Sequence, residues 1–321
     1  MTAISPVLAS YSDLAYGTTL VLYLFAMVLH AAEYAASRVP VPAAAERIPA
    51  EGDGRLATLV PAGSLSDSAP RRGRAERIGR SAVALTGLAA LVHASSLALR
   101  GAAIGRVPWA NMYEFTSTIC FVAVVGWLVV LYRRNGAAAA LPRLGAFVLL
   151  PVVVLMFLGG TVLYAQAAPL IPALNSYWIM IHVCAAATAS GILLVSGVAS
   201  ALYLLGAQGR WRIATWLPAS ATLDRLAYRT AVFALPIWTF AIITGAIWAE
   251  AAWGRYWGWD PKETCALVAW VVYAGYLHAR ATAGWRGCPA AWINVVGFGV
   301  MLFNLFFVNI VIAGLHSYAG I

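Results

Sequence analysis

Charge is what this sequence has least of. Only 10% of its 321 residues are Asp, Glu, Lys or Arg, whereas 62% are hydrophobic and the mean hydropathy is +0.80. A soluble chain of this length needs far more charge to cover its surface, so the composition excludes a soluble enzyme and indicates an integral membrane protein. Cysteine is also scarce. Cys120, Cys184, Cys265 and Cys288 are the four present, and the lack of any CxxC argues against a redox-active dithiol. No basic stretch precedes the first apolar run and no convincing small-residue cleavage site follows it, so that run reads as a retained span and not a cleaved signal. Neither a soluble domain nor an internal repeat is visible.

What the chain does have is long apolar runs. A hydrocarbon core about 30 Å thick needs roughly 20 apolar residues per helix, and eight runs approach that length: 15–36, 81–99, 115–132, 144–164, 177–205, 230–251, 264–279 and 290–315. They are continuous and do not alternate, which predicts an all-α, polytopic membrane helix bundle. Pro151 and Pro236 fall inside runs and are expected to loosen them. Of the 21 basic residues, 17 follow the first, third, fifth and seventh runs. Basic residues stay on the cytoplasmic side, so both termini are expected to be extracytoplasmic, together with Arg100, Arg106, Arg255 and Lys262. The net charge of +9 then reflects topology, not binding to nucleic acid. Residues 38–80, rich in Ala, Pro, Gly, Arg and Glu, read as a flexible cytoplasmic linker. The chain thus divides into 1–80, one transmembrane helix plus linker, and 81–321, a transmembrane domain.

Five histidines, His30, His93, His182, His278 and His316, are the main candidates for chemistry at membrane depth. His182 lies about 9 Å into an inward-running helix and His316 ends an outward-running one, whereas His278 lies roughly 21 Å deep, in the inner half. His278 therefore cannot share one iron with the outer pair. Beside that pair, "WGRYWGWDPKETCALVAW" (253–270) holds four of the thirteen tryptophans. Two imidazoles near an aromatic floor suit a flat, apolar, metal-centred ligand, for which heme is the obvious candidate. On spacing alone, packing or an interhelical hydrogen bond explains the pair equally well. The tryptophans also suit a membrane interface, but four indoles around one turn favour a binding platform at Trp253, Trp257 and Trp259. Asp260, followed by Pro261 and Glu263, is a well-formed helix start, and the physics favours a cap over a catalyst.

The run "WGRYWGWDPKET" resembles the tryptophan-rich WWD signature of the heme-handling protein family. With "GRVPWANMYEF" (105–115), "LNSYWIMIHV" (174–183), "LDRLAYRT" (223–230), "YLHAR" (276–280) and "GLHSYA" (314–319), the chain from about residue 81 onward resembles the CcsA/ResC component of system II cytochrome c biogenesis, called CcsB in actinobacteria. The resemblance implies a heme-handling transmembrane domain with an extracytoplasmic loop at 253–263, in a bacterial plasma membrane. It implies His182 and His316 as axial ligands of an outer heme and His278 as ligand of an intramembrane heme, whose other ligand comes from a ResB-type partner. His30 and His93 match no family ligand. Implied too are heme b (iron protoporphyrin IX) as substrate and transient ligand, and a thiol-reducing thioredoxin-like partner. The implied activity is that of a holocytochrome c synthase, in which Trp253, Trp257, Trp259 and Asp260 present heme to the CxxCH motif of apocytochrome c. The propionates are expected to meet Arg100, Arg106, Arg255 or Lys262, although lipid headgroups or solvent account for these cations as well. A heme exporter without synthase activity and a permanently heme-loaded electron-transfer subunit remain the alternatives.

Overall fold

The computed structural model describes residues 4–36, 68–132, 144–169, 174–208, 217–282 and 284–316, and these are helical with no strand. The helices are α1 (Pro6–Ala36), α2 (Ser68–Ile104), α3 (Met112–Tyr132), α4 (Gly145–Thr161), α5 (Tyr177–Ala207), α6 (Ser220–Trp253), α7 (Pro261–Ala281) and α8 (Cys288–Leu302). A π-helical turn, Phe303–Phe307, carries α8 into a final turn, α9 (Val308–Val311). Each of the eight expected spans thus contains a helix, and the chain is a polytopic membrane bundle. Six helices have the length and apolarity of a membrane crossing; α4 is apolar but only 17 residues long. α7 has Lys262 and Glu263 in its first turn and His278 and Arg280 in its last, which lowers its hydropathy without shortening it.

One boundary differs from expectation. α2 starts at Ser68, so the segment 68–80 is helical although its composition reads as linker; its Ala, Arg and Glu are good helix formers, and the neighbouring membrane helix supplies the nucleus. α4 and α6 run through Pro151 and Pro236 as continuous helices. Residues 37–67, which make up most of the expected linker, lie outside the described residues, as do the arginines at 133, 134, 143, 210 and 212 and the last three residues of "GLHSYA".

α5 is the central helix. Its buried residues include Ala187, Ala189, Ser190, Gly191, Ser196 and Gly197, small side chains that let neighbouring backbones approach closely. At Gly191 a Cβ would come within 2.9 Å of the Ile119 carbonyl of α3, so that contact requires glycine. One core cluster packs Tyr16, Tyr23, Cys120, Leu149 and Met156 from α1, α3 and α4. A second packs Ile119, Leu193, Trp238, Tyr273 and Met301 from α3, α5, α6, α7 and α8.

Because the helices alternate in direction, the α2–α3, α4–α5 and α6–α7 connections and the end of α9 gather at one end of the bundle. Buried charges tie this end together. Arg100, 2% exposed, donates through Nε to Glu114 Oε1 (3.1 Å), and Arg106 donates through Nη1 to Glu114 Oε2 (2.9 Å). At the opposite end Arg280 makes a two-point ion pair with Asp224 and lies 4.5 Å above the Tyr228 ring. "LDRLAYRT" and "YLHAR", distant in sequence, are therefore two halves of one contact.

Candidate functional site

α6 ends at Trp253, capped by Gly254 in the left-handed conformation (φ 70°), whose N–H donates to the Glu250 carbonyl. α7 begins with a full capping box. Asp260 accepts from the Lys262 N–H (3.2 Å), while Glu263 Oε2 accepts from the N–H groups of Asp260 (3.1 Å) and Gly258 (2.9 Å). The short loop between is thereby pinned at both ends. Trp259 has φ 57°, the one left-handed non-glycine among the described residues. For a bulky side chain that conformation costs on the order of 1–3 kcal/mol and persists only where the surroundings over-determine it.

Asp260 does more than cap. Its Oδ1 accepts from the Leu315 N–H (2.8 Å) and its Oδ2 from His316 Nδ1 (2.8 Å). Gly314 permits this approach, since a Cβ there would lie 2.7 Å from Asp260 Oδ1. Burial works against ionisation of Asp260, but the hydrogen bonds from His316 and Leu315 outweigh it and hold the carboxyl at about 2, below the usual 3.8. Burial also pushes the His316 pKa below the usual imidazole value, with the hydrogen bond to Asp260 opposing. At neutral pH the pair is a carboxylate facing a neutral imidazole that donates through Nδ1, which makes Nε2 the lone-pair nitrogen. A carboxylate orienting a histidine in this way is the usual support for a metal-ligating imidazole.

His182 has an equivalent arrangement with a backbone acceptor: its Nδ1 donates to the Ala241 carbonyl of α6 at 2.7 Å. The ring fits because Gly245 stands one turn further along α6, where a Cβ would meet it at 2.7 Å. Both histidines line one cavity that is partly open to the surroundings. Trp109, Trp238, Trp248, Trp253, Tyr256 and Trp257 line it as well. Trp248 is the hub: its ring lies 6.3 Å from His182, nearly parallel, and 5.8 Å from His316. Trp253 is 5.1 Å from His316 and 4.7 Å from Trp248.

The fold therefore brings together His182, His316, Trp253, Trp257 and Asp260. The expected platform divides at Trp259, which meets Trp257 edge-on at 5.8 Å but is 69% exposed and does not line the cavity. His278 lies at the opposite end of α7, exposed, with no side-chain partner among the described residues. His30 and His93 are fully buried. His93 is held by Tyr23 and Ser117, while His30 meets Thr86 and lies 3.7 Å from Glu33, so both make interhelical polar contacts. Of Arg100, Arg106, Arg255 and Lys262, Lys262 alone lines the cavity; Arg100 and Arg106 are engaged by Glu114, and Arg255 is exposed. Sequence reasoning missed Trp248, Gly245 and Trp238. Their signal was the helical spacing of Trp238, Ala241, Gly245 and Trp248, which places small residues and indoles on one face of α6.

The family model for "Cytochrome C assembly protein" matches residues 109–316, a stretch that begins at Trp109 of the cavity wall and ends at His316. The chain belongs to the cytochrome c assembly protein family. It is 35% identical over 238 residues to the cytochrome c biogenesis protein CcsA of Guillardia theta, covering 67% of this chain and 77% of that one. It is 36% identical over 239 residues to CcsA of Chlamydomonas reinhardtii (73% and 67%), and 35% identical over 267 residues to CcsA of Parasynechococcus marenigrum (73% and 85%). Within the cytochrome c assembly family the chain is thus of the CcsA type. The fold is shared with a solved cytochrome c heme lyase, CcmF, at a TM-score of 0.61 and 17% identity. That similarity covers 95% of this chain, which spans 47% of the CcmF chain.

Proposed function

We propose that this CcsA-type protein is the membrane subunit of a system II cytochrome c synthase, binding heme between His182 and His316 and presenting it for thioether attachment to apocytochrome c. The observation that carries the reading is the matched orientation of the two imidazoles. Each is fixed through Nδ1, one by a backbone carbonyl and one by Asp260, and both line the same indole-walled cavity. Indole faces supply apolar area for a porphyrin, and oriented neutral imidazoles supply axial ligands for its iron.

Each attachment adds a cysteine S–H of the CxxCH motif across a heme vinyl group. Sulfur bonds to the inner vinyl carbon and the hydrogen goes to the terminal carbon, so no net oxidation occurs and no co-reactant is consumed. The rate then depends on holding the vinyl and thiol in register, a proximity effect. Trp253 and Trp257 bound the heme, Asp260 keeps His316 in its ligating tautomer, and Trp259, exposed at the rim, is placed to meet the arriving acceptor. The acceptor's own histidine replaces one imidazole on release. His278 receives heme on the cytoplasmic side, with a ResB-type partner providing the second ligand. A thioredoxin-like protein keeps the acceptor thiols reduced. The loop end of the bundle faces outward from a bacterial plasma membrane.

The test is co-expression with a ResB-type protein and a CxxCH acceptor in a host lacking its own maturation system, with covalently bound heme as the readout. Covalent heme is expected only when both membrane proteins are present and is expected to vanish in the double variant His182→Ala, His316→Ala. Unaltered maturation by that variant would falsify the assignment. Heme carried outward but never attached identifies an exporter.

A further inference from the structure

Below the histidines the cavity has a polar side. Ser190 lies eight residues further along α5 than His182, about 12 Å at 1.5 Å per residue. It is fully buried, lines the cavity, and its hydroxyl makes no hydrogen bond. Asn304, 3% exposed, also lines the cavity, and its Oδ1 is unpartnered. Buried polar groups left unsatisfied are uncommon and costly, and two in one cavity indicate a missing polar partner.

The third group is Lys262. Its Nζ donates to Asn309 Oδ1 at 2.6 Å, and no carboxylate lies within 4.0 Å of it among the described residues. Glu263 also lines the cavity, but its Oε2 is held by the loop N–H groups of Gly258 and Asp260. A half-buried ammonium that faces apolar walls with no carboxylate in ion-pair contact leaves room for an anion.

The π-helical turn explains how both asparagines reach this cavity. In an uninterrupted α-helix, Asn304 and Asn309 would point roughly 140° apart, five residues at 3.6 per turn. The wider turn over Phe303–Phe307 reduces that divergence, and both asparagines line the cavity. Asn309 is locked there, donating to the Leu305 carbonyl at 2.6 Å. The cavity therefore has an indole and imidazole side and a side formed by Lys262, Asn309, Asn304 and Ser190.

We infer that Lys262, Ser190 and Asn304 form a carboxylate-binding subsite that takes a propionate of heme and so determines which edge of the macrocycle faces the rim. Lys262 supplies the charge and Ser190 a hydroxyl donor. A half-turn of the Asn304 amide presents its NH₂ group. Asn309 is a positioning residue that aims Lys262. With the propionates drawn toward this side, the vinyl edge turns toward Trp257 and the exposed Trp259. The inference rests on the cavity being the heme site proposed above, and it assigns the propionates to Lys262 instead of Arg100 or Arg106.

The test titrates the purified complex with its ResB-type partner using two probes, heme and heme dimethyl ester, whose propionates are blocked. Wild-type protein is expected to bind heme at least about tenfold more tightly than the diester, the size of one charge-assisted hydrogen bond. Lys262→Met is expected to bring heme down to the diester's affinity and leave the diester unchanged, whereas Lys262→Arg keeps most of the preference. Equal affinity of wild-type protein for both probes overturns the subsite, with no dependence on any variant folding. Failure to bind either probe overturns the heme site and the subsite together; tight binding without discrimination overturns the subsite alone.

Discussion

Asp260→Asn separates the two roles of the residue that joins the tryptophan loop to His316. Asn is about as good an N-cap as Asp, so the start of α7 is expected to survive. The contact at Oδ2 does not. In the native protein Oδ2 accepts from His316 Nδ1 at 2.8 Å while Oδ1 accepts from the Leu315 N–H at 2.8 Å. With the Asn oxygen kept on Leu315, the amide NH₂ faces Nδ1, and two donors oppose each other. Relief comes when the imidazole moves its proton to Nε2, which then cannot ligate iron. The loss is that of a hydrogen bond to a charged group, about 1.5–3 kcal/mol, and orienting partners of metal ligands typically contribute 10–100-fold in affinity. Heme retained at the outer site is therefore expected to fall by about 10–100-fold. The assay is heme content and absorbance of the complex purified with its partner, set beside His316→Ala, with thermal stability in detergent as the control. Wild-type heme content in Asp260→Asn, alongside clear loss in His316→Ala, would refute the tautomer reasoning and reduce Asp260 to a cap.

Three further outcomes follow from the same geometry. Gly245→Ala places a methyl 2.7 Å from the His182 ring and is expected to push it off the Ala241 carbonyl; heme content should drop while the amount of protein in the membrane holds. Trp257→Ala is expected to reduce heme retention, whereas Trp259→Ala leaves retention intact and slows maturation of the acceptor, since only Trp257 lines the cavity; equal retention defects would place both rings against heme. Glu114→Ala removes the carboxylate shared by Arg100 and Arg106, and breaking a buried ion pair typically costs about 3–5 kcal/mol, to be read as a lowered melting temperature in detergent.

The bundle was legible because a span must hide every backbone polar group, which forces long uninterrupted apolar runs that any reading detects. α2 was misjudged at its start because Ala, Arg and Glu serve a helix and a solvated linker equally well. In the site, His182, His316 and Asp260 could be singled out because ionisable groups stand out against a hydrocarbon background. Trp248 could not, since one more indole in an apolar helix resembles ordinary core; only its position between the two imidazoles distinguishes it. Trp259 parts from its motif neighbours in its exposure. Adjacency in a motif implied a common platform, whereas Trp259 has a left-handed backbone and an exposed side chain.

The bond between Asp260 and Leu315–His316 also constrains the order in which the protein becomes competent during synthesis. His182 and the indoles of α6 enter the membrane well before the segment bearing His316, and until that segment docks on Asp260 the cavity offers one oriented imidazole instead of two. Until then Trp248 has one of its two imidazole neighbours and lacks the other. That clasp joins the α6–α7 loop to a segment 55 residues later, so it closes only after α7, α8 and α9 have all been made.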